Sequence, residues 1–388
     1  MNVSLFIAKR LNFKGKIAMI CIAVSFLVMI IAVSVASGYR KEIRNGISSV
    51  SGDVLITAPD RNVFNEYRPI EASPAYLPYL DSVDAMDRVV PTVYRAGIVK
   101  DDDNMYGVVF KGTPDVIDTA ALSVSIPSAL AQKAGVGVGD KILTYFVGNK
   151  LKARQFYVAA LHETLVETDN QYIIYASNAD LQRLNGWSDD EVSALEVLLH
   201  DNFKTEKGIS DATDEIGTLI NAYSSEDERS VIATSVLSRF PQLFSWLDLI
   251  DFNVYFILLL MTIVAGFNMI SGLLIMLFEH ISTIGLLKSL GMTDRAIAKV
   301  FLASSAMVVG KGMLLGNILA ILFCIIQGTT HILKLNPENY YVSFVPVNID
   351  LGLVLSADLI SFAGIMLLLL IPCLFISKVD PAETVRVR

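Results

Sequence analysis

The residue types that usually perform chemistry are few in this chain and do not converge. The three cysteines, Cys21, Cys324 and Cys373, fall inside long apolar runs, so no disulfide framework is expected outside them. The four histidines, His162, His200, His280 and His331, are scattered without metal-ligand spacing. No Walker lysine, no Ser/His/Asp signature and no paired-cysteine metal site is present. The run Gly135-Val-Gly-Val-Gly139-Asp140 resembles a phosphate loop, but it lacks the Gly-Lys-Ser/Thr ending and reads as a turn before a strand. Two charges, Lys311 and Asp358, interrupt apolar runs, where a charge is costly and often functional. By helical rise they lie about 13 Å apart along the membrane normal for upright helices, a long reach for a salt bridge. Snorkelling, or pairing with nearby polar groups, accounts for them more simply. Nothing here argues for catalysis within the chain.

Composition sets the elements that carry these residues. Of 388 residues, 31 are Lys or Arg and 39 Asp or Glu, a net of −8; 18% are charged and 53% hydrophobic. A soluble domain carries about 25% charged residues. With a mean hydropathy of +0.53, this chain is excluded as an ordinary soluble enzyme. The acidic balance speaks against nucleic acid as a partner, and the apolar content against disorder.

The apolar residues gather in four runs. Ile17–Tyr39 and Phe252–Phe278 contain no Asp, Glu, Lys or Arg; Phe301–Gln327 contains only Lys311, and Leu351–Ile376 only Asp358. Each reaches the roughly 20 residues that a helix needs to cross about 30 Å of hydrocarbon. The first is preceded by Lys9, Arg10, Lys14 and Lys16 like a signal peptide, but its apolar run is too long for one and reads as a retained anchor. Basic residues before the first run, between the second and third (Lys288, Arg295, Lys299) and after the fourth (Lys378, Arg386, Arg388) put those segments in the cytoplasm. The third-to-fourth connection has only Lys334. Arg40, Lys41 and Arg44 weaken this asymmetry without reversing it.

The fold expected is a membrane α-helical protein with four transmembrane helices and a large α+β periplasmic domain inserted between the first and second. The boundaries are a cytoplasmic N-terminus 1–16, helix 17–39, domain 40–251, helix 252–278, cytoplasmic connection 279–300, helix 301–327, periplasmic loop 328–350, helix 351–376 and cytoplasmic tail 377–388. In the large domain, strands are expected at Asp53–Thr57, Val89–Val99, Tyr106–Lys111, Lys141–Val147, Gln155–Ala160, Gln171–Tyr175 and Ala194–Leu199. Helices are expected at Ala120–Ala134, from a Ser177 cap to Leu184, and at Thr205–Tyr223, with an amphipathic stretch from Glu228 to Asp251.

The most specific signal lies between Phe278 and Phe301. Ile281, Ile284, Leu287 and Leu290 recur every three residues on a short helix, Gly291 is placed to end it in a left-handed cap, and Thr293 and Asp294 to start the next. A short helix across the inner membrane face can dock into a cytoplasmic partner; a well-capped re-entry loop is the plainer reading of the same residues.

This segment resembles the coupling helix of FtsX-like permeases, the membrane subunits of type VII ABC systems, at Glu279, Ile284, Leu287, Lys288, Leu290, Gly291 and Ile297. The basic residues usual after the Glu are replaced by His280, Ile281 and Ser282, while Asp380-Pro-Ala-Glu-Thr-Val-Arg386 is similar to the family's closing motif. Within the family the chain is most similar to lipoprotein-releasing permeases of the LolC/LolE type. The stretches that carry this are Leu5–Arg10, Gly107–Pro114, Val138–Asp140, Glu167-x-Asp169 and Tyr340–Val347. LolC-type permeases carry a longer insertion, the hook that grips a periplasmic carrier; here Tyr145–Lys150 is a short turn. That departure implies the LolE-like half of a heterodimer, or a homodimer.

The resemblance implies an ABC permease without its own ATPase, releasing lipoproteins from the inner membrane. Its partners would be an ABC ATPase dimer that binds the ATP, a second permease copy or paralogue, lipoprotein substrates, membrane lipids and, for such systems, a periplasmic lipoprotein carrier. No cofactor of its own is implied. ATPase coupling would fall to Glu279, Ile284, Leu287, Lys288, Leu290 and Gly291. Two other readings stand: a mechanotransmission permease like MacB or FtsX, and a membrane scaffold with no transport role.

Exposing three acyl chains, roughly 45 methylenes, to water costs on the order of 35 kcal/mol. Non-covalent binding saturates near roughly −18 to −21 kcal/mol, so release needs an apolar cavity and an external energy source. Candidates for lining such a cavity are Ser25 and Ser34 in the first helix and Phe256, Gly266, Asn268 and Met269 in the second, though small residues there also serve ordinary helix packing.

Overall fold

Apolar runs must form helices if they are to leave no backbone amide unpaired in hydrocarbon, and four such helices dominate the described residues. The computed structural model describes residues 16–60, 62, 64, 68–101, 104–113, 121–148, 151–163, 172–336, 340 and 342–374. The motifs at 5–10, 167–169 and 380–386, the proline at 114 and the turn residues 149–150 lie outside them. By contacts the chain divides into two compact units, Met1–Lys41 with Trp246–Lys334 and Phe344–Arg388, and Glu42–Ser245 with Leu335–Ser343.

The helices long and apolar enough to cross a membrane are α1 (Lys16–Ser51), α7 (Pro241–Glu279), α9 (Asp294–Thr330) and α10 (Leu351–Leu368), the last extended by a short turn to Cys373. Helices α1, α7 and α9 overrun their apolar cores. The run in α1 suggests an end near Tyr39, yet the helix continues through Arg40, Lys41 and Arg44 to Ser51. It does so because Tyr39, Ile43 and Ile47, four residues apart, keep one buried stripe. Helix α7 begins at Pro241 rather than at the first apolar residues, proline being favoured at a helix start. Between α7 and α9 lies α8 (Ile281–Ser289).

Ile22, Phe26 and Met29 of α1 meet Ala265, Met269, Leu273 and Met276 of α7, with Phe301 and Val309 of α9 and Ile365 of α10, in one buried cluster. Small residues set how closely α1 and α9 approach. A Cβ added at Gly312 would lie 2.8 Å from Ile22 Cγ2, and one at Gly316 2.5 Å from the Ala23 carbonyl. Both glycines face the first helix.

In the second unit, β4 (Tyr94–Lys100), β5 (Met105–Thr113), β9 (Tyr172–Ser177), β6 (Ser123–Pro127), β8 (Lys152–His162) and β7 (Lys141–Phe146) close in that order into a barrel. Phe110, Phe146 and Phe156 fill it, with ring centroids 4.9–6.1 Å apart. An antiparallel sheet runs β12 (Ile232–Ser235), β1 (Val54–Thr57), β11 (Ala194–Leu199), β3 (Met86–Thr92). Helix α5 (Glu206–Tyr223), capped by Thr205 Oγ1, packs on β12 and buries Ile209, Ala212, Ile216 and Ile220.

Three expectations are corrected here. Val89–Val99 is two strands in different sheets, parting at Val93, whose amide donates to Asn178 Oδ1 at 3.1 Å. Ala120–Ala134 is strand β6 followed by helix α3 (Ser128–Ala134), the strand being a fully buried stretch with β-branched Val124 and Ile126. The stretch from Glu228 holds strand β12 and one short turn, α6 (Val236–Arg239), before α7. The glycine run after α3 is a turn: Gly135 and Gly139 have φ +64 and +97, and Asp140 accepts from the Gly137 amide at 2.8 Å.

Candidate functional site

Three places in the fold hold, or lie nearest to, the residues that the sequence singles out. The first is α8. Its end is a Schellman motif: Gly291, at φ +89, donates to the Lys288 carbonyl at 2.9 Å, and Met292 to the Leu287 carbonyl at 3.0 Å. Thr293 Oγ1 then accepts from the Ala296 amide at 3.4 Å to start α9. The stripe expected on α8 is split, because three-residue spacing drifts around a 3.6-residue turn. Ile284 is buried in the helix cluster and Leu287 is half-buried against it, whereas Ile281 and Leu290 are exposed. Lys288 folds inward to Asp294 at 2.9 Å. Of the coupling candidates, Glu279, Leu290 and Gly291 face outward, while Ile284, Leu287 and Lys288 hold the helix to the bundle. Leu286, exposed beside Leu290, was not singled out by the three-residue pattern.

The second place is an apolar cavity of about 640 Å³ between α1, α7 and α10, lined by Val33, Ala36, Leu258, Thr262, Ala357 and Gly364 among others. Arg40 and Asp251 stand in its lining. Arg40 donates to Asp248 at 3.0 Å and Asp251 at 2.5 Å, tying α1 to α7, and Tyr39 meets Trp246 edge-on with centroids 6.2 Å apart. None of the six cavity candidates lines it. Ser25 turns its hydroxyl to the Cys21 carbonyl at 3.1 Å, Ser34 and Met269 are buried in helix packing, and Gly266 abuts Leu368. Asn268 is half-buried and Phe256 faces outward. Near the cavity, Thr262 donates to Ser361 at 3.1 Å. Asp358 accepts from Asn317 at 2.5 Å, and Lys311 is exposed on α9.

The third place is the C-terminal end of α1. The last four carbonyls of a helix lack partners within it. Lys111 Nζ donates to the carbonyls of Ser49 and Val50 at 3.2 and 2.7 Å and to Glu196 at 2.9 Å. Arg239 reaches the Ser51 carbonyl at 3.3 Å. The Tyr94 hydroxyl lies 3.1 Å from the Val50 carbonyl and also bonds Glu196. Burial, then the Glu196 charge and the bond to it, raise the Tyr94 phenol well above its ordinary range, so it stays a donor. Ser48 donates to Asp53 at 2.5 Å, and the other Asp53 oxygen accepts from the Leu199 amide at 2.9 Å. Two cations at the negative end of a helix dipole, balanced by a buried glutamate, make a firm joint between α1 and the strands.

Residues 255–381 match the FtsX-like permease C-terminal family. The chain is 22% identical, over 98% of its length and 96% of the other's, to the lipoprotein-releasing system transmembrane protein LolC of Xylella fastidiosa (strain Temecula1 / ATCC 700964). It is 26% identical to LolC of Neisseria meningitidis serogroup B, covering 97% of this chain and 96% of that one. To LolE of Haemophilus influenzae it is 21% identical, covering 95% and 93%.

Proposed function

We propose that this chain, an FtsX-like permease similar to LolC and LolE along nearly its whole length, is the inner-membrane subunit of an ABC transporter that releases lipoproteins, driven by a separate ATPase. The observation that carries the reading is this near-complete similarity, reaching from the first helix through the strand-rich unit to the last helix. Both termini and α8 lie in the cytoplasm and the strand-rich unit in the periplasm.

In this reading α8 docks into the ATPase through Glu279, Leu286 and Leu290, while Ile284 and Leu287 pass its displacement to the helices. The cavity between α1, α7 and α10 accepts an acyl chain, for which its apolar lining and volume suit: ligand cavities run from about 300 to 1,000 Å³. Helix α1 is uninterrupted from Lys16 to Ser51, and the carbonyls at its end are held by Lys111. The site works in a dimer with a second copy or a paralogue, and the ATP is bound by the partner.

Depleting the chain and fractionating the envelope tests this. Lipoproteins destined for the outer membrane should accumulate in the inner one. Normal sorting combined with a defect in efflux or in cell-wall hydrolysis would replace this reading with a MacB-like or FtsX-like one.

A further inference from the structure

We propose that a second, small pocket in the strand-rich unit binds an oxyanion, a single carboxylate or phosphate group on a small ligand. The pocket has a volume of about 240 Å³ and lies between β8, helix α4 (Asn178–Asn185) and the turn that enters β6. Phe156 and Leu184, both buried, give it an apolar floor; Arg154 of β8 and Arg183 of α4 give it two guanidinium groups.

Asp180 is the carboxylate in the lining, and both of its oxygens are engaged. One accepts from the Leu122 amide at 2.8 Å and the other is ion-paired with Arg183. Arg154 donates to the carbonyl of Ala153 at 3.0 Å and meets no carboxylate among the described residues. Among the described lining residues, two guanidinium charges against one carboxylate leave a surplus of one positive charge. Lys152 adds to it at the margin, where its Nζ caps the Leu184 carbonyl at 2.6 Å. A planar guanidinium fork matches a carboxylate or phosphate with two parallel N–H bonds.

The backbone beside the pocket points the same way. Leu122 has φ +61, a left-handed conformation that a side chain with a Cβ enters only at a cost. It is held there from both sides, its amide by Asp180 and its carbonyl by the Tyr157 amide at 2.9 Å. Over-determined strain of this kind clusters where a protein keeps a surface shaped for a ligand. The inference stands apart from lipoprotein release and survives its failure.

The test is calorimetric titration of the full-length chain in neutral detergent with inorganic phosphate and, separately, with acetate, at ionic strength held constant with sodium chloride. Substitution R154Q should weaken binding by about tenfold or more, the loss of one charge-assisted contact, while the melting temperature without ligand stays unchanged. R154K, which keeps the charge and loses the fork, should restore part of the affinity. Preference for phosphate or for acetate supports the site and identifies its oxyanion. No binding of either probe, or equal affinity in R154Q, overturns it.

Discussion

Lys111 Nζ lies 2.9 Å from Glu196, and each side chain is only 4% exposed. The pair joins a strand of the barrel to a strand of the sheet, with the end of α1 between them. Removing one member of a buried ion pair leaves the other charge unpaired and costs roughly 3–5 kcal/mol. Denaturation of the full-length chain in detergent should show losses of this size for K111M and for E196Q. The double variant should lose less than the sum, because the penalty of an orphaned charge is then removed.

The glycines of α9 divide by what they touch. An added methyl at Gly316 would press on the Ala23 carbonyl, whereas Gly310 has no atom within 4 Å of its missing Cβ. G316A should therefore destabilise the chain by about 1–3 kcal/mol. G310A should be neutral or stabilising by roughly 0.5–1 kcal/mol, since alanine is the better helix former. Thermal melting of the two variants side by side separates the effects.

Along α8, Leu290 and Ile284 should part company. L290D, at an exposed site, should leave the melting temperature unchanged and abolish co-purification with the proposed ATPase partner. I284D, at a buried one, lowers stability outright. G291A should cost about 1–2 kcal/mol through its φ of +89 and blunt the Schellman corner; circular dichroism melts and pull-downs read both.

His162 offers a pH test. Its Nδ1 lies 2.9 Å from Ser125 Oγ and its ring packs on Tyr175, with centroids 4.7 Å apart. Burial lowers its pKa below the ordinary value of 6.5, outweighing a backbone bond to Ile173 and the charge of Glu163. The unfolded chain then holds the proton more tightly, so this residue destabilises the fold as pH falls below about 6.5 and has no effect well above it. Melting temperatures measured down to about pH 5 should fall less steeply for H162Q than for the unsubstituted chain.

The four long helices were legible because hydrocarbon demands long apolar runs, and α8 because its caps are spelled out by Gly291 and Thr293. Where α1 ends was not, since hydropathy stops at Tyr39 while the buried spacing of Ile43 and Ile47 continues. Which side chains line the hollow was not legible for a related reason: composition identifies a helix, but its rotation against neighbours decides which side chains line a space. Ser25 and Met269 are turned into packing, while Ala36 and Gly364 line the hollow. The joint at Glu196 lies further still from local pattern, as Lys111 is 85 residues away in sequence.

The place of β9 in the barrel has a consequence for how the chain is made. It is the last barrel strand to be synthesised, yet it sits between β5 and β6, parallel to one and antiparallel to the other. Until Tyr172–Ser177 emerges, both neighbours present bare edges, and such edges recruit foreign strands. Closure must await a partner distant along the polypeptide, the slowest kind of step in β-folding. During biogenesis these edges are therefore open to mispairing, and a transcript cut short before Tyr172 should yield material that aggregates and is degraded.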